Sequence, residues 1–223
     1  MIKKKLLISF ILLLVIFKIT GQNSDKVYFK DVNGFKLENL NKRINQASIQ
    51  NKSEKSKELF NKLINKYIKG KYLSNYDFLT IDNNILSTDI IDRPILLLTR
   101  MTLNKHNWRE ISILNEIIEK YETKIEIIIL YWDKKSELKN ITSQYHKRIH
   151  LIPSDEFLID KTKITHSGFE HKLDYPSAYL IDKDKKIIDF TRGIKIANEK
   201  RDWNETTELN KRNLINFIYP VIK

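Results

Sequence analysis

Two apolar runs near the middle of the chain constrain its fold more than any other feature. Residues 95–98 are all isoleucine or leucine, and residues 125–132 are rich in isoleucine. Runs that do not alternate with polar residues are typical of strands covered on both faces. Between the runs, Ile111, Leu114 and Ile118 recur at helical spacing. A strand, a helix and a second strand in this order predict a parallel βαβ unit.

The alternation of strands and helices continues toward the C-terminus. A polar stretch at 182–185 indicates the turn of a hairpin, and an amphipathic helix follows it. We therefore predict an α/β fold with a central mixed sheet flanked by helices. The predicted elements are a strand at 77–81, helices at 104–121 and 134–148, strands at 149–152, 178–181 and 186–191, and a helix at 206–219.

A separate helical pattern lies upstream, at residues 53–69. Ser53 can cap its start, and Gly70 stands where a helix end favours glycine. Residues 23–50 are polar and irregular, and they predict either a short strand or a loose helix. We assign 23–69 to an N-terminal helical extension and 70–223 to the main domain. The helix at 53–69 either packs on that domain or binds a partner.

The first 22 residues have the features of a secretory signal peptide. Three lysines at positions 3–5 precede an apolar run at 6–17, and Gly21 provides a small residue near a cleavage site. The apolar run is short for a bilayer span, which needs about 20 residues, although an uncleaved membrane anchor remains the alternative. We expect export to the periplasm or the cell exterior.

The chain contains no cysteine among its 223 residues. Compartments outside the cytoplasm permit disulfides, yet this protein has to rely on its core alone. Thiol chemistry, thiolate metal sites and a lipid anchor attached to cysteine are all excluded. We expect no cofactor.

The formal net charge is +12, and it falls to +8 without the four lysines of residues 1–22. A basic chain suggests nucleic acid as a partner. The lysines are spread over every segment, and export separates the protein from most nucleic acid, so we expect no such role. Weak attraction to anionic headgroups or envelope polymers fits the charge better.

Three stretches of sequence resemble a known family. They are NYDFLTIDNNILSTDIIDRPILLL at 75–98, NWREISILNEIIEKY at 107–121 and DYPSAYLIDKDKKII at 174–188. Together with the closing helix they resemble the thioredoxin-like superfamily, in particular the TlpA-like and redoxin (AhpC/TSA-type) branch of exported bacterial proteins. The resemblance covers roughly residues 70 to 220, and it implies a thioredoxin fold and thiol-disulfide exchange.

The family's Cys-x-x-Cys motif is lost. Counting back from Glu110, the motif falls on Asn104, Lys105, His106 and Asn107. Asparagine cannot attack a disulfide, so the chain cannot be a working thiol-disulfide oxidoreductase. One interpretation is structural, with Asn104 capping the following helix. The other is a recognition surface formed by Lys105, His106 and free backbone amides, which would bind a carboxylate or a peptide.

Pro176 corresponds to the family's cis-proline, after Tyr175. The resemblance implies that Tyr175 presents backbone groups to an extended peptide beside the helix start. Binding of this kind requires no thiol. The alternative is that Pro176 only shapes the fold.

Histidine pairs suggest a weaker possibility. His146 and His150 are four apart, and on a helix they would share one face suited to a metal ion. His166 and His171 could add ligands only if their loop folded back. Solvated surface histidines are the simpler interpretation, and we assign no metal site. The tryptophans, including Trp108 and Trp132, are interpreted as packing residues.

The function that these observations favour is a non-catalytic, protein- or peptide-binding or chaperone-like role in the cell envelope. Its expected site comprises Asn104, Lys105, His106, Asn107, Tyr175 and Pro176. The alternatives are an interaction module acting through the helix at 53–69 and a metal-dependent function using histidines. An enzymatic activity is not expected.

Overall fold

The computed structural model describes residues 26–32, 34–101, 107–153, 176–192 and 203–223. Five α-helices and seven strands are found in these ranges. In chain order they are α1 (Gly34–Ile49), α2 (Ser53–Leu63), β1 (Asp77–Leu79), β2 (Ile85–Ser87), β3 (Ile95–Arg100), α3 (Asn107–Tyr121), β4 (Glu126–Tyr131), α4 (Lys135–Thr142), β5 (Ile149–Ile152), β6 (Ser177–Ile181), β7 (Ile187–Arg192) and α5 (Trp203–Ile222).

The central sheet has five strands in the order β5-β4-β3-β6-β7. β3, β4 and β5 are parallel, whereas β6 and β7 are antiparallel to their neighbours. In the middle of the sheet, Leu97 of β3 lies between Ile128 of β4 and Tyr179 of β6. The prediction of an α/β fold with a mixed sheet is confirmed, including the parallel unit formed by the two apolar runs.

Alternate residues of β3 face two different helical layers. Leu96 and Leu98 belong to the core cluster shared with α3 and α5. Ile95 and Leu97 belong to the cluster on the opposite face, which includes residues of α1 and α2. All six residues of β3 are buried, because each face of the strand has its own covering layer. This double coverage explains why the sequence of β3 shows no alternation of polar and apolar residues.

The N-terminal extension is part of the main core. Leu37, Leu40 and Ile44 of α1 pack in one cluster with Leu59 and Leu63 of α2 and with the sheet. Burial of these side chains stabilises each helix far more than its intrinsic propensity does. The prediction for residues 23–50 included a loose helix, and the structure shows a helix of four turns.

Several element boundaries differ from the prediction. Ser53 is the first residue of α2 and forms no capping bond, because Lys52 occupies the cap position. α2 ends at Leu63 and continues as a π-helical turn at Ile64–Ile68. Gly70 follows with a φ of +83°, which favours glycine as predicted.

The strand predicted at 77–81 forms a hairpin with β2, a strand that the sequence pattern does not indicate. β1 and β2 are only three residues each, too short for a detectable alternation. Their turn contains Asn83 at a φ of +62°, a conformation that asparagine tolerates. The helix predicted at 134–148 ends at Thr142, whereas α5 extends beyond its predicted end and includes Pro220.

Replacement of Leu63 by alanine tests whether α2 belongs to the cooperative core. Leu63 is completely buried between α2 and the sheet, so Leu63→Ala should lower the free energy of unfolding by about 2–5 kcal/mol. The measurement is urea denaturation followed by circular dichroism. The exposed neighbour provides the control, and Lys62→Ala should change stability by at most about 0.5 kcal/mol. An unchanged midpoint for Leu63→Ala would show that the extension unfolds independently.

Candidate functional site

The predicted site lies where three chain segments meet at one end of the sheet. β3 ends at Arg100, α3 begins at Asn107, and Pro176 immediately precedes β6, the strand beside β3. Pro176 is half-buried. Arg100 contacts both Glu110 of α3 and Ser177 of β6, so the segments on either side of residues 102–106 lie close to the proline segment. Asn104, Lys105, His106 and Tyr175 lie outside the described residues.

Pro176 is held beside β3 by its neighbour in sequence. The hydroxyl groups of Ser177 and Thr99 are 2.7 Å apart, and both side chains are buried. The backbone N–H of Ser177 also donates to Oγ1 of Thr99, at 3.2 Å. These two contacts add to the strand pairing of Thr99 with Ser177. The position of the proline segment relative to β3 is therefore fixed by side chains as well as by the sheet.

A buried ion pair connects β3 with α3 beneath the degenerate motif. Arg100 is only 2% exposed, and its Nε donates to Glu110 at 2.8 Å. A second guanidinium nitrogen, Nη2, bonds the other carboxylate oxygen of Glu110. Such two-pronged pairs are geometrically specific as well as strong. Burial alone disfavours the charged guanidinium, but the adjacent carboxylate outweighs this effect and raises the pKa of Arg100.

The same guanidinium also reaches the proline segment. Nη1 of Arg100 donates to the carbonyl oxygens of Thr99, at 2.7 Å, and of Ser177, at 3.0 Å. One side chain therefore ties β3, the first turns of α3 and the start of β6 together. Glu110 stands out in the sequence pattern, whereas Arg100 does not. An arginine that ends an apolar run, with a glutamate ten residues later, is the signal that could have identified the pair.

Comparison with known proteins supports the fold. No protein-family model and no curated protein sequence matches the chain. Among solved structures, the thioredoxin domain of a thiol-disulfide oxidoreductase from Bacteroides vulgatus is similar, with a TM-score of 0.50. It is 14% identical, and the match covers 70% of this chain and 98% of that domain. The chain has a thioredoxin-like fold.

Two further structures of this kind are similar. The C-terminal domain of a candidate thiol-disulfide oxidoreductase from Bacteroides thetaiotaomicron is 13% identical over 69% of this chain and 95% of its own, with a TM-score of 0.48. The exposed lipoprotein thioredoxin of Streptococcus pneumoniae is 11% identical, and the match covers 66% of this chain and 99% of that protein, with a TM-score of 0.45. In the described part of the present chain, no helix is long and apolar enough to cross a bilayer.

A second polar contact lies under the thioredoxin-like site, between β4 and the segment after α4. The hydroxyl groups of Tyr131 and Tyr145 are 2.6 Å apart. Burial raises the pKa of Tyr131 to about 12, and it also raises the pKa of Tyr145. Both phenols therefore remain neutral at physiological pH. They provide packing and hydrogen bonding here rather than acid-base chemistry.

Asn115 connects the site helix of the thioredoxin-like fold to the same segment. Its amide nitrogen donates to the carbonyl of Gln144, and its oxygen accepts the backbone N–H of His146, each at 2.8 Å. An asparagine is suited to this position because one side chain can both donate and accept. Asn115 thus has a structural role, because it connects α3 to the segment after α4.

The structure does not place His146 and His150 on one helix. α4 ends before His146, and His150 lies in β5 with Nε2 at 2.6 Å from a carboxylate oxygen of Glu126. The two rings therefore do not share a helical face. Within the described residues, no group of three or more potential metal ligands comes together. His166 and His171 lie outside the described residues.

Trp108 occupies a different environment from the one predicted. It lies in the first turn of α3 and is 52% exposed, so it is not a core residue. The guanidinium of Arg109 is 5.7 Å from its ring centroid. The ring therefore presents exposed apolar surface at the start of α3. Trp132 is half-buried.

The ion pair can be tested by comparing a single variant with a double variant. Glu110→Leu leaves the Arg100 guanidinium buried without its carboxylate, and it should lower stability by about 3–5 kcal/mol. Arg100→Met combined with Glu110→Leu removes both charges and should recover most of that loss. Denaturant midpoints measure both effects, and Glu119→Leu on the exposed side of α3 is the control. Equal losses for the single and double variants would contradict a charge-paired role.

The tyrosine contact predicts a loss of stability at alkaline pH. The pKa of Tyr131 is about 12 in the folded protein and about 10 in an unfolded chain, so its contribution is complete below pH 10 and is lost as the pH rises toward 12. Replacing Tyr131 and Tyr145 by phenylalanine should reduce this decline. Urea midpoints between pH 8 and 12 provide the measurement. Tyr219→Phe, at an exposed position, should leave the profile unchanged.

Proposed function

We propose that this chain is an exported, non-catalytic member of the thioredoxin-like superfamily that binds an extended peptide or protein segment at its degenerate site. The observation that carries the proposal is the combination of a structured site with a complete lack of cysteine. Thr99, Arg100 and Ser177 hold the proline segment against β3 and α3, although no thiol is present for exchange chemistry.

Loss of catalysis follows from the chemistry of disulfide exchange. Exchange requires a thiolate that attacks a disulfide sulfur and forms a mixed disulfide. The asparagines at positions 104 and 107 can only donate and accept hydrogen bonds. A role that survives this replacement has to be noncovalent.

An extended peptide suits the proposed site better than a small ligand. The resemblance places the backbone groups of Tyr175 next to Pro176, where they could pair with the backbone of a peptide in extended conformation. The exposed ring of Trp108 provides an apolar contact at the rim. Lys105 and His106 would add polar contacts that discriminate between partners.

Export rests on the sequence of residues 1–22. The positive residues, the apolar run and the small residue near its end support a secretory signal. The cell envelope is therefore the proposed location, with the periplasm, the cell exterior and anchoring through an uncleaved signal as alternatives. A protein or peptide of the envelope is the proposed partner.

The structure favours the degenerate site over the two alternative functions. In α2, Leu59 and Leu63 are buried in the core, so the exposed side of this helix is polar. A partner-binding helix would need an accessible apolar face. The metal-dependent alternative is weakened by the positions of His146 and His150, which lie in different local structures.

The proposal predicts that peptide capture depends on the rim of the site. An array of extended, cysteine-free envelope peptides is incubated with the wild-type protein and with a His106→Ala, Tyr175→Ala variant. Fluorescence polarisation should show at least about tenfold weaker binding for the variant, because hot-spot residues typically contribute more than a kcal/mol each. Lys139→Ala combined with Tyr219→Ala alters exposed residues elsewhere and is the matched control.

Two results would contradict the proposal. If the wild-type protein and the His106→Ala, Tyr175→Ala variant bind equally well, the degenerate site is not the contact surface. If the wild-type protein accelerates the reduction of insulin disulfides, the assigned loss of catalysis is wrong. A variant shortened by removal of α2 is not a useful control, because α2 is part of the core.

A further inference from the structure

A short ladder of backbone hydrogen bonds extends the sheet beyond β7. The amide of Ile187 donates to Lys71 at 2.8 Å, and the amide of Tyr72 donates to Val27 at 2.9 Å. The amide of Phe29 returns a bond of 2.9 Å to the carbonyl of Tyr72. Segments 70–73 and 27–29 are therefore aligned beside the start of β7.

Lysines and tyrosines alternate along this ladder. We call the set the basic-tyrosine strip, and it comprises Lys26, Tyr28, Lys30, Tyr72 and Lys186. Nζ of Lys26 is 5.0 Å from the ring centroid of Tyr72, and Nζ of Lys30 is 6.0 Å from that of Tyr28. The two rings meet edge to face, with centroids 6.4 Å apart. The strip is therefore one continuous surface feature rather than separate side chains.

The strip is exposed and positively charged. Lys26, Lys30 and Lys186 are all exposed, and none of them forms an ion pair with any residue that the structure describes. The nearby carboxylates reduce the charge only partly. Asp182 accepts the backbone N–H of Lys186, and Asp31 is exposed next to Lys30.

Where the signal stays uncleaved, the sequence before the strip brings it close to a membrane. The apolar run at 6–17 is followed by Lys18, and Lys26 lies eight positions after Lys18. Eight residues span at most about 28 Å, whatever their conformation. While the apolar run is in a bilayer, the strip is thus within reach of the headgroups. Lysine and tyrosine both combine an apolar stem with a polar tip, which suits them to that interface.

We propose that the basic-tyrosine strip binds the anionic phospholipid surface of a bilayer and so orients the folded domain against the membrane. Lysines next to an anionic surface are attracted to it within about a Debye length, and tyrosine rings insert at headgroup depth. This inference does not depend on peptide binding at the degenerate site. The strip lies beside the start of β7, whereas Ser177, next to that site, pairs with the end of β7.

The lack of cysteine allows a direct test in the full-length protein. A single Val27→Cys variant carries a fluorophore beside the strip, where Val27 is 49% exposed. A Ser136→Cys variant carries it on α4, at the other end of the sheet. Each protein is reconstituted into vesicles containing a headgroup-quencher lipid, made either of phosphatidylcholine alone or of phosphatidylcholine with phosphatidylglycerol.

The expected result is quenching at position 27 that depends on phosphatidylglycerol, with little quenching at position 136. Lys26→Gln combined with Lys186→Gln should weaken this response by about fivefold per lysine, because each lysine near an anionic surface contributes about 1 kcal/mol. Lys139→Gln combined with Lys147→Gln removes the same charge from exposed positions elsewhere and should have no effect.

Three outcomes would overturn the inference. Equal quenching in both vesicle types would mean that the apolar run alone brings position 27 to the membrane. An unchanged response in the Lys26 and Lys186 variant would exclude the strip. A response to soluble polyglutamate, with none to phosphatidylglycerol, would identify a soluble polyanion as the partner instead.

Discussion

Burial of β3 on both faces determines how the rest of the chain is arranged. Aliphatic side chains that point to opposite sides of one strand need a separate covering layer on each side. α3 and α5 cover one side, and α1 and α2 cover the other. The N-terminal helices are thus required by the strand that follows them. Removal of either layer would expose isoleucine and leucine from the centre of the sheet.

The same strand determines the electrostatics of the degenerate site. β3 ends in Arg100, and the burial imposed on the strand extends to this guanidinium. A buried charge is tolerated only when it is paired and its donors are satisfied. Glu110 supplies the opposite charge, and the carbonyl groups of Thr99 and Ser177 accept hydrogen bonds from a further guanidinium nitrogen of Arg100. The chain therefore has a rigid polar base where the end of β3, the first turns of α3 and the start of β6 meet.

The sequence predicted the regular, densely apolar parts of the fold. The strands β3 and β4 and the helix α3 were evident because their patterns are long and uninterrupted. The β1-β2 hairpin was missed because three-residue strands carry no measurable period. α1 was only half recognised, since its buried residues include the polar Asn41.

Site chemistry was harder to predict than the fold. Arg100 pairs with a residue on the next element, and Trp108 is exposed although tryptophan is usually buried. Both facts depend on tertiary placement that periodicity does not encode. The histidine spacing could not be interpreted without the fold either, because a spacing of four has meaning only if the segment is helical, and β5 begins at Ile149.

The coverage of β3 by α1 and α2 has a consequence for biogenesis. These helices leave the ribosome or the translocation channel first, but the strands that bury Leu37, Leu40 and Leu63 follow at least about 30 residues later. Until β3 and β4 emerge, the nascent chain presents an apolar surface with nothing to cover it. A holding chaperone on the exit side would protect that surface. The time needed to synthesise the residues between α2 and β4 sets how long the protection has to last.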